Sequence, residues 1–157
     1  MIDFNSSSSI SGQITALVRD ISALARAARP GIQVSAAVYG RYPLCVASVG
    51  QDWGQWLEEG LIDYACPMNY TTNLAAFTSW THGQLALPGG RRGVLPGIGA
   101  TATESRLDAV MVLEQIAAAR AEGAAGFAIF DLNGVLESEI LPALQKGATA
   151  PSPKALP

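Results

Sequence analysis

Short apolar runs alternate with stretches of helical periodicity along almost the whole of this 157-residue chain. An amphipathic stretch comes first, and an apolar run followed by another amphipathic stretch then repeats four times. Strict alternation of strands and helices is typical of a parallel sheet with helical crossovers. The chain is therefore predicted to be an α/β protein, one helix followed by four β-α units, with strands near residues 33–39, 63–68, 93–98 and 126–130.

One folded domain is expected between two ends of different composition. Residues 1–10 are polar and rich in serine, and residues 147–157 form a Pro/Ala-rich tail that is predicted to be disordered. The segment between them, residues 11–146, has the length of a single domain. Its predicted helices lie near residues 11–28, 52–59, 73–84, 104–122 and 135–145.

Polar and aromatic side chains follow the ends of the predicted strands. Pro67 lacks a backbone N–H, so regular pairing should weaken at the end of the second strand, where Met68, Asn69 and Tyr70 follow. Ligands of parallel α/β folds are met at the carboxyl ends of strands, so these three residues are predicted to bind substrate. Tyr39 ends the first strand and is a further substrate-binding candidate, although packing of its ring across the loops is an equally good interpretation.

The acidic residues are distinguished by the end of the strand at which they occur. Asp131 directly follows the last predicted strand and is the candidate catalytic residue, whereas Asp63 begins its strand and belongs to the opposite, stabilising edge. Asp52 either caps a helix, which is the favoured interpretation, or contacts substrate. Glu104 is predicted to play the same capping role at the start of the longest helix.

Composition excludes several classes of function. A net charge of −3 gives no clustered basic surface for nucleic acid, and no run approaches the roughly 18 apolar residues of a membrane span. His82 is the single histidine, and both lysines, Lys146 and Lys154, lie near the C-terminus. Cys45 and Cys66 lack metal-ligand spacing, and Cys66 is expected to be a plain buried thiol. No metal and no cofactor is predicted.

A glycine pattern after the third strand favours a structural interpretation over a nucleotide site. Residues 97–102, Gly-Ile-Gly-Ala-Thr-Ala, fit the dinucleotide fingerprint G-x-G-x-x-A. That fingerprint requires an acid about 20 residues later, and Asp131 comes too late. Close backbone approach at the end of a strand explains the glycines better.

Six segments carry a resemblance: Pro30–Val38, Ser48–Trp53, Gly60–Tyr64, Cys66–Thr71, Leu95–Gly99 and Gly126–Asp131. In order and spacing, they together resemble a known family, the glycosyl hydrolase-like 10 family. The resemblance implies a (β/α)8 barrel of the TIM type and cleavage of O-glycosyl bonds in a polysaccharide or oligosaccharide. It also implies a bacterial, often exported protein, periplasmic or extracellular, that acts on the glycan of peptidoglycan, although the N-terminus shows no signal peptide.

The chain departs from the family in one respect. The family's aspartate-rich motif of strand four has no counterpart, and its position would lie just before Met1. The resemblance therefore implies about half a barrel: helix four, then strands five to eight with their helices. Glycoside hydrolysis usually needs two carboxylates, and Asp131 is the single one at a strand end, so the chain is expected to be inactive alone.

Two functions remain open from the sequence. The chain is either a fragment of a glycoside hydrolase that acts on cell-wall polysaccharide, in which Asp131, Asn69 and Tyr70 position the sugar or orient the acid, or a non-catalytic carbohydrate-binding or scaffolding half-barrel. The first and last strands of a half-barrel have unpaired edges. A homo-oligomer in which two copies close one barrel is therefore a further expectation.

Overall fold

A four-stranded parallel sheet, in the order β1-β2-β3-β4, forms the centre of the computed structural model, which describes residues 9–146. All three pairs of neighbours are parallel. This confirms the predicted α/β class, and the arrangement is consistent with part of a TIM barrel. The strands are β1 Ser35–Tyr39, β2 Tyr64–Met68, β3 Gly97–Gly99 and β4 Ala128–Phe130.

Helices connect successive strands and cover one side of the sheet. The chain enters through α1, whose first turn is capped by the Ser9 hydroxyl, which accepts a hydrogen bond from the Gly12 N–H at 3.0 Å. The helices are α1 Ile10–Ala28, α2 Leu44–Val49, α3 Trp53–Glu58, α4 Leu74–Leu85, α5 Gly90–Gly93, α6 Ala109–Ala121 and, after a π-helical turn Leu136–Ile140, α7 Leu141–Leu144.

Two of the differences from the sequence-based prediction concern the third β-α unit. The third strand is shorter than predicted, because residues 90–93 form α5 and Val94 makes only an isolated bridge to Ala65. The longest predicted helix begins at Ala109 instead of near Glu104, because Asp108 is its N-cap and accepts the Met111 N–H at 2.8 Å. The consequence is that Glu104 lies in the loop that follows β3.

The core consists of two apolar clusters between the sheet and the helices. Under β1 and β2, both Trp53 and Trp56 are buried, and the Trp56 indole N–H donates to the Thr15 hydroxyl at 2.9 Å, which fastens α1 to α3. Under β3 and β4, a second cluster around Ile98 and Phe77 joins α4, α6 and α7. One cluster therefore supports each half of the sheet.

The opposite face of the sheet is open. Along β2, Ala65 and Pro67 are buried against the helices, whereas Tyr64, Cys66 and Met68 alternate with them and are only half-buried. The Cys66 thiol is thus less enclosed than predicted, since it faces the uncovered side of the sheet.

An apolar stripe on α1 is also uncovered. Ile10, Leu17, Ile21 and Leu24 recur at helical spacing, and each is between 53 and 72% exposed. Within residues 9–146, no helix is both long and apolar enough to cross a membrane.

Asp63 joins the amino ends of β1 and β2, on the edge predicted for it. Its carboxylate accepts the Val34 N–H at 2.7 Å and a guanidinium N–H of Arg26 at 3.1 Å. The Val34 hydrogen bond, followed by the Arg26 hydrogen bond and charge, lowers the pKa of Asp63 despite partial desolvation. Asp63 therefore stabilises the fold in its charged form.

We expect Asp63→Asn to destabilise the protein at pH 7 and to have less effect in acid. A lowered folded-state pKa contributes stability that is present above the unfolded value of 3.8 and is lost as pH falls through the folded value. Because the side chain is 38% exposed, solvent screening limits the cost at pH 7 to about 1 kcal/mol. Urea unfolding at pH 7, 5, 4 and 3 measures it.

The matched control is Asp20→Asn on an exposed part of α1. A loss of stability for Asp63→Asn that is the same at every pH would contradict the assigned role of the charge.

Candidate functional site

A stacked aromatic pair lies at the carboxyl edge of the sheet. Tyr70 follows β2 and Phe130 ends β4, and their ring centroids are 5.5 Å apart with an interplanar angle of 26°. The strand between them, β3, ends at Gly99, where an added Cβ would lie 2.7 Å from Tyr70 Cγ. The glycine therefore lets the Tyr70 ring lie across the end of β3 and reach Phe130, which confirms the close backbone approach predicted for this glycine pattern.

The aromatic pair is accessible from the open side. Phe130 is 48% exposed and Tyr70 is half-buried, while Leu132 beyond β4 is 81% exposed. Exposed apolar groups gathered at one edge of a sheet are typical of a binding surface. Sequence reasoning missed Phe130, although strand alternation with Ala128 already placed it on the side away from Ile129 and the core.

Asp131 is held in place next to this pair. Its Oδ1 accepts hydrogen bonds from the Thr101 hydroxyl and from the Asn133 side-chain amide, the latter at 2.7 Å. The Thr101 hydroxyl in turn accepts the Asp131 backbone N–H at 3.0 Å. The peptide bond between Phe130 and Asp131 is cis. Asp131 thereby ties the loop after β3 to the loop after β4.

Glu104 contributes a second negative charge near Tyr70. Burial raises the pKa of Tyr70, and the neighbouring Glu104, Cys66 and Asp131 raise it further by charge repulsion. Glu104 is exposed in the loop after β3. The sequence signal that identifies this position is Asp108, a cap residue directly before an apolar helical run, which places the start of α6 after Glu104.

Asn69 lies deeper in the protein than a residue in direct contact with substrate would. It is fully buried, and its side-chain amide forms a reciprocal pair with Gln84, with N···O distances of 2.9 and 2.8 Å. The Gln84 amide also donates to the Gly40 carbonyl at 2.6 Å, and Asn69 approaches the Thr81 hydroxyl at 3.4 Å. The pair joins the ends of β1 and β2 to α4, and Asn69 directly precedes Tyr70.

Asp52 occupies the capping position favoured by the sequence. Its Oδ1 accepts the Gln55 N–H at 3.2 Å, at the start of α3, and the Tyr42 hydroxyl at 2.9 Å. Burial, the hydrogen bond to Asp52 and its charge together raise the pKa of Tyr42 to about 12. Asp52 therefore caps α3 and also fixes the Tyr42 hydroxyl, and both contacts are structural.

Tyr39 lies at the end of β1 and is 52% exposed. Its backbone is fixed, because its N–H donates to Gln51 Oε1 at 2.8 Å and its carbonyl accepts the Trp53 indole N–H at 3.1 Å. Of the predicted site residues, the structure brings Tyr70 and Asp131 together. In the described part of the chain, neither Tyr39 nor Asp52 has a hydrogen bond or ring contact with them.

No group of three or more His, Cys, Asp or Glu side chains within residues 9–146 is placed to hold a metal ion. The single histidine, His82, contacts Glu122 at 2.8 Å between ring Nδ1 and the carboxylate. This contact joins α4 to the end of α6, among the helices.

We expect Gln84→Leu to destabilise the protein by about 2 kcal/mol, because the buried Asn69 amide and the Gly40 carbonyl would each lose a hydrogen-bond partner. Chemical unfolding at pH 7 measures the change. The matched control is Gln145→Leu, an exposed glutamine after α7. Equal stability of the two variants would show that the amide pair contributes nothing to the fold.

Comparison with known proteins identifies the first half of the chain. Residues 9–85 match the glycosyl hydrolase-like 10 model, and no curated protein matches the chain. The matched segment runs from α1 to the end of α4 and contains Tyr39, Asn69 and Tyr70, while Phe130 and Asp131 lie beyond it. Over residues 9–85, just under half of its length, the chain is similar to the glycosyl hydrolase-like 10 family.

Proposed function

We propose that the chain binds a glycan at the carboxyl edge of its sheet, as the sugar-contacting part of a glycosidase-like protein. The observation that carries this proposal is the Tyr70–Phe130 stack beside Asp131, in which Phe130 is exposed and Tyr70 is half-buried. Aromatic rings offer a flat apolar surface to the C–H face of a sugar, while neighbouring carboxylates accept hydrogen bonds from its hydroxyls. The match of residues 9–85 to the glycosyl hydrolase-like 10 family supports a carbohydrate as the ligand.

Asp131 is suited to contact a sugar hydroxyl. Thr101 and Asn133 engage its Oδ1, and its Oδ2 has no hydrogen-bond partner within the described residues. A carboxylate oriented through one oxygen presents the other in a defined direction, which lowers the ordering cost of binding. Asn69 acts indirectly, because the buried amide pair fixes the backbone from which Tyr70 extends.

Cell-wall polysaccharide of the peptidoglycan type is the proposed substrate class, on the strength of the family resemblance. Hydrolysis of such a glycan generally requires two carboxylates that flank the glycosidic bond. Asp131 and Glu104 are the acids nearest Tyr70, and Asp131 has one oxygen committed to the loops. We therefore propose that the chain binds glycan but turns it over slowly or not at all by itself.

A non-catalytic carbohydrate-binding or scaffolding role is the second candidate. It is favoured by the hydrogen bonds of Asp131, which tie together two loops in the way a structural residue does. Turnover distinguishes the two candidates, since a scaffold binds glycan without cleaving it under any condition.

We expect Tyr70→Ala and Phe130→Ala each to weaken glycan binding about tenfold, because one aromatic contact contributes roughly 1.4 kcal/mol. Tyr70→Phe should retain most of the affinity. Calorimetric titration with a chitin-type tetrasaccharide and with soluble peptidoglycan strands measures both effects, and release of reducing ends measures turnover.

The matched control is Trp80→Ala, a half-buried aromatic residue on α4 whose ring lies 5.0 Å from the Arg41 guanidinium. Unchanged affinity in both alanine variants would overturn the proposed platform. Rapid cleavage by the unaltered chain would overturn the proposal that its catalytic pair is incomplete.

We also propose that a second copy of the chain covers part of its uncovered apolar surface. The α1 stripe of Ile10, Leu17, Ile21 and Leu24 is exposed, and β1 and β4 are the outer strands of the sheet. Exposed apolar stripes and unpaired strand edges both favour association.

We expect the protein to self-associate at high concentration and Leu17→Glu to shift it toward the monomer, since a charge in the stripe would be buried at cost. Light scattering across a concentration series measures the mass. Ala27→Glu, at another exposed α1 position, is the control. A monomer at every concentration would rule out the association.

A further inference from the structure

A groove of about 450 Å³ lies beside Asp131, outside the aromatic pair. It opens between the loop after β3 and the π-helical turn after β4. Thr101 and Asn133, which bind the Asp131 carboxylate, also line this groove, so it shares a wall with the proposed glycan site. Its volume is within the range of small-molecule sites.

Arg106 is the one cationic residue that lines the groove, and its guanidinium has no ion pair or hydrogen bond within residues 9–146. Asp108 and Glu139 line the same groove without pairing with it. Asp108 has another partner, because its Oδ1 accepts the Met111 N–H at the start of α6. The guanidinium donors of Arg106 are therefore available to a ligand.

The position of Arg106 is defined by the loop that carries it. Its φ of +33° is a left-handed conformation that residues other than glycine rarely adopt. Hydrogen bonds on both sides hold this conformation: the Arg106 N–H donates to the Ala102 carbonyl at 3.0 Å, and the Leu107 N–H donates to the Ala100 carbonyl at 2.8 Å. The loop thus holds the backbone of an uncompensated cation at the edge of the groove.

We propose that this groove is a subsite for a sugar unit that bears a carboxylate, with Arg106 as the group that recognises it. The inference rests on the proposed glycan binding and specifies the kind of sugar. A guanidinium matches the two oxygens of a carboxylate and forms a bidentate pair with it. The second N–H of the Asn133 side-chain amide can donate to a sugar hydroxyl, and Leu107 supplies an apolar contact.

The two acids of the groove limit where the negative charge of a ligand can lie. Asp108 and Glu139 repel an anion, so the carboxylate must lie against the Arg106 guanidinium, where a bidentate pair compensates its charge. The carboxylate belongs to a uronic acid or to a lactyl ether on an amino sugar. These two sources share the recognition chemistry and are separated by experiment.

The test compares tetrasaccharides of one length by calorimetric titration in 50 mM salt. One is neutral, built from N-acetylglucosamine, one contains glucuronic acid, one contains the lactyl ether of N-acetylmuramic acid, and one is the cationic glucosamine tetramer. We expect the unaltered protein to bind one of the two carboxylated ligands at least tenfold more tightly than the neutral one.

Arg106→Gln should abolish this preference and leave the affinity for the neutral ligand unchanged, while Arg106→Lys should retain part of the preference. Arg106→Gly suits the left-handed backbone, so it should keep or increase thermal stability and still lose the preference. Arg92→Gln, an exposed arginine in α5, is the matched control and should behave as the unaltered protein does.

Three results would contradict the proposal. If the neutral tetrasaccharide binds in a Tyr70-dependent way and the carboxylated ligands bind no more tightly, the subsite is overturned and the proposed glycan binding is not. Preference for the cationic tetramer, lost in Glu139→Gln, would assign the groove to amino sugars instead. Failure of all four ligands to bind would overturn both the subsite and the proposed function.

Discussion

The buried amide pair between Asn69 and Gln84 is the interaction on which the carboxyl edge of this protein depends. Parallel strands end at one edge of the sheet, and their last peptide groups need partners once the ladder stops. Gln84 supplies one to Gly40 after β1 and pairs with Asn69 after β2, so a single helix, α4, organises two strand ends. Both side chains are fully engaged, which makes a buried polar link favourable rather than costly. The Tyr70 side chain therefore extends from a rigid stretch of backbone.

Loop contacts on the other half of the sheet complete the same edge. Thr101 and Asn133 fasten Asp131 between the loops after β3 and β4, and Gly99 leaves room for the Tyr70 ring to cross β3. The result is a continuous sequence of contacts from α4 through Tyr70 and Phe130 to Asp131. An edge built in this way carries rigid aromatic and acidic groups at low ordering cost, which suits the recognition of a sugar.

Helices cover one face of the sheet and leave the other face accessible. Helices cover one face with two apolar clusters, and each cluster supports one pair of strands. The other face leaves Tyr39, Cys66 and Phe130 partly accessible, and α1 keeps an apolar stripe uncovered. The uncovered surface explains why binding of a glycan and association with another chain are both reasonable proposals for one small domain, since each would remove apolar area from water.

The order of the β-α units, and the strand end at which Asp63 and Asp131 lie, could be predicted from the amino-acid sequence. Apolar periodicity identified the four β-α units, and the positions of Asp63 and Asp131 at opposite ends of their strands followed from it. Which loop residues contact one another depends on how the chain packs. The Asn69–Gln84 pair, the Tyr70–Phe130 stack and the Thr101–Asp131 contact join residues 15, 60 and 30 positions apart. Periodicity reports the face and the end of an element, whereas such contacts depend on strand register and loop path, which only the packed chain defines.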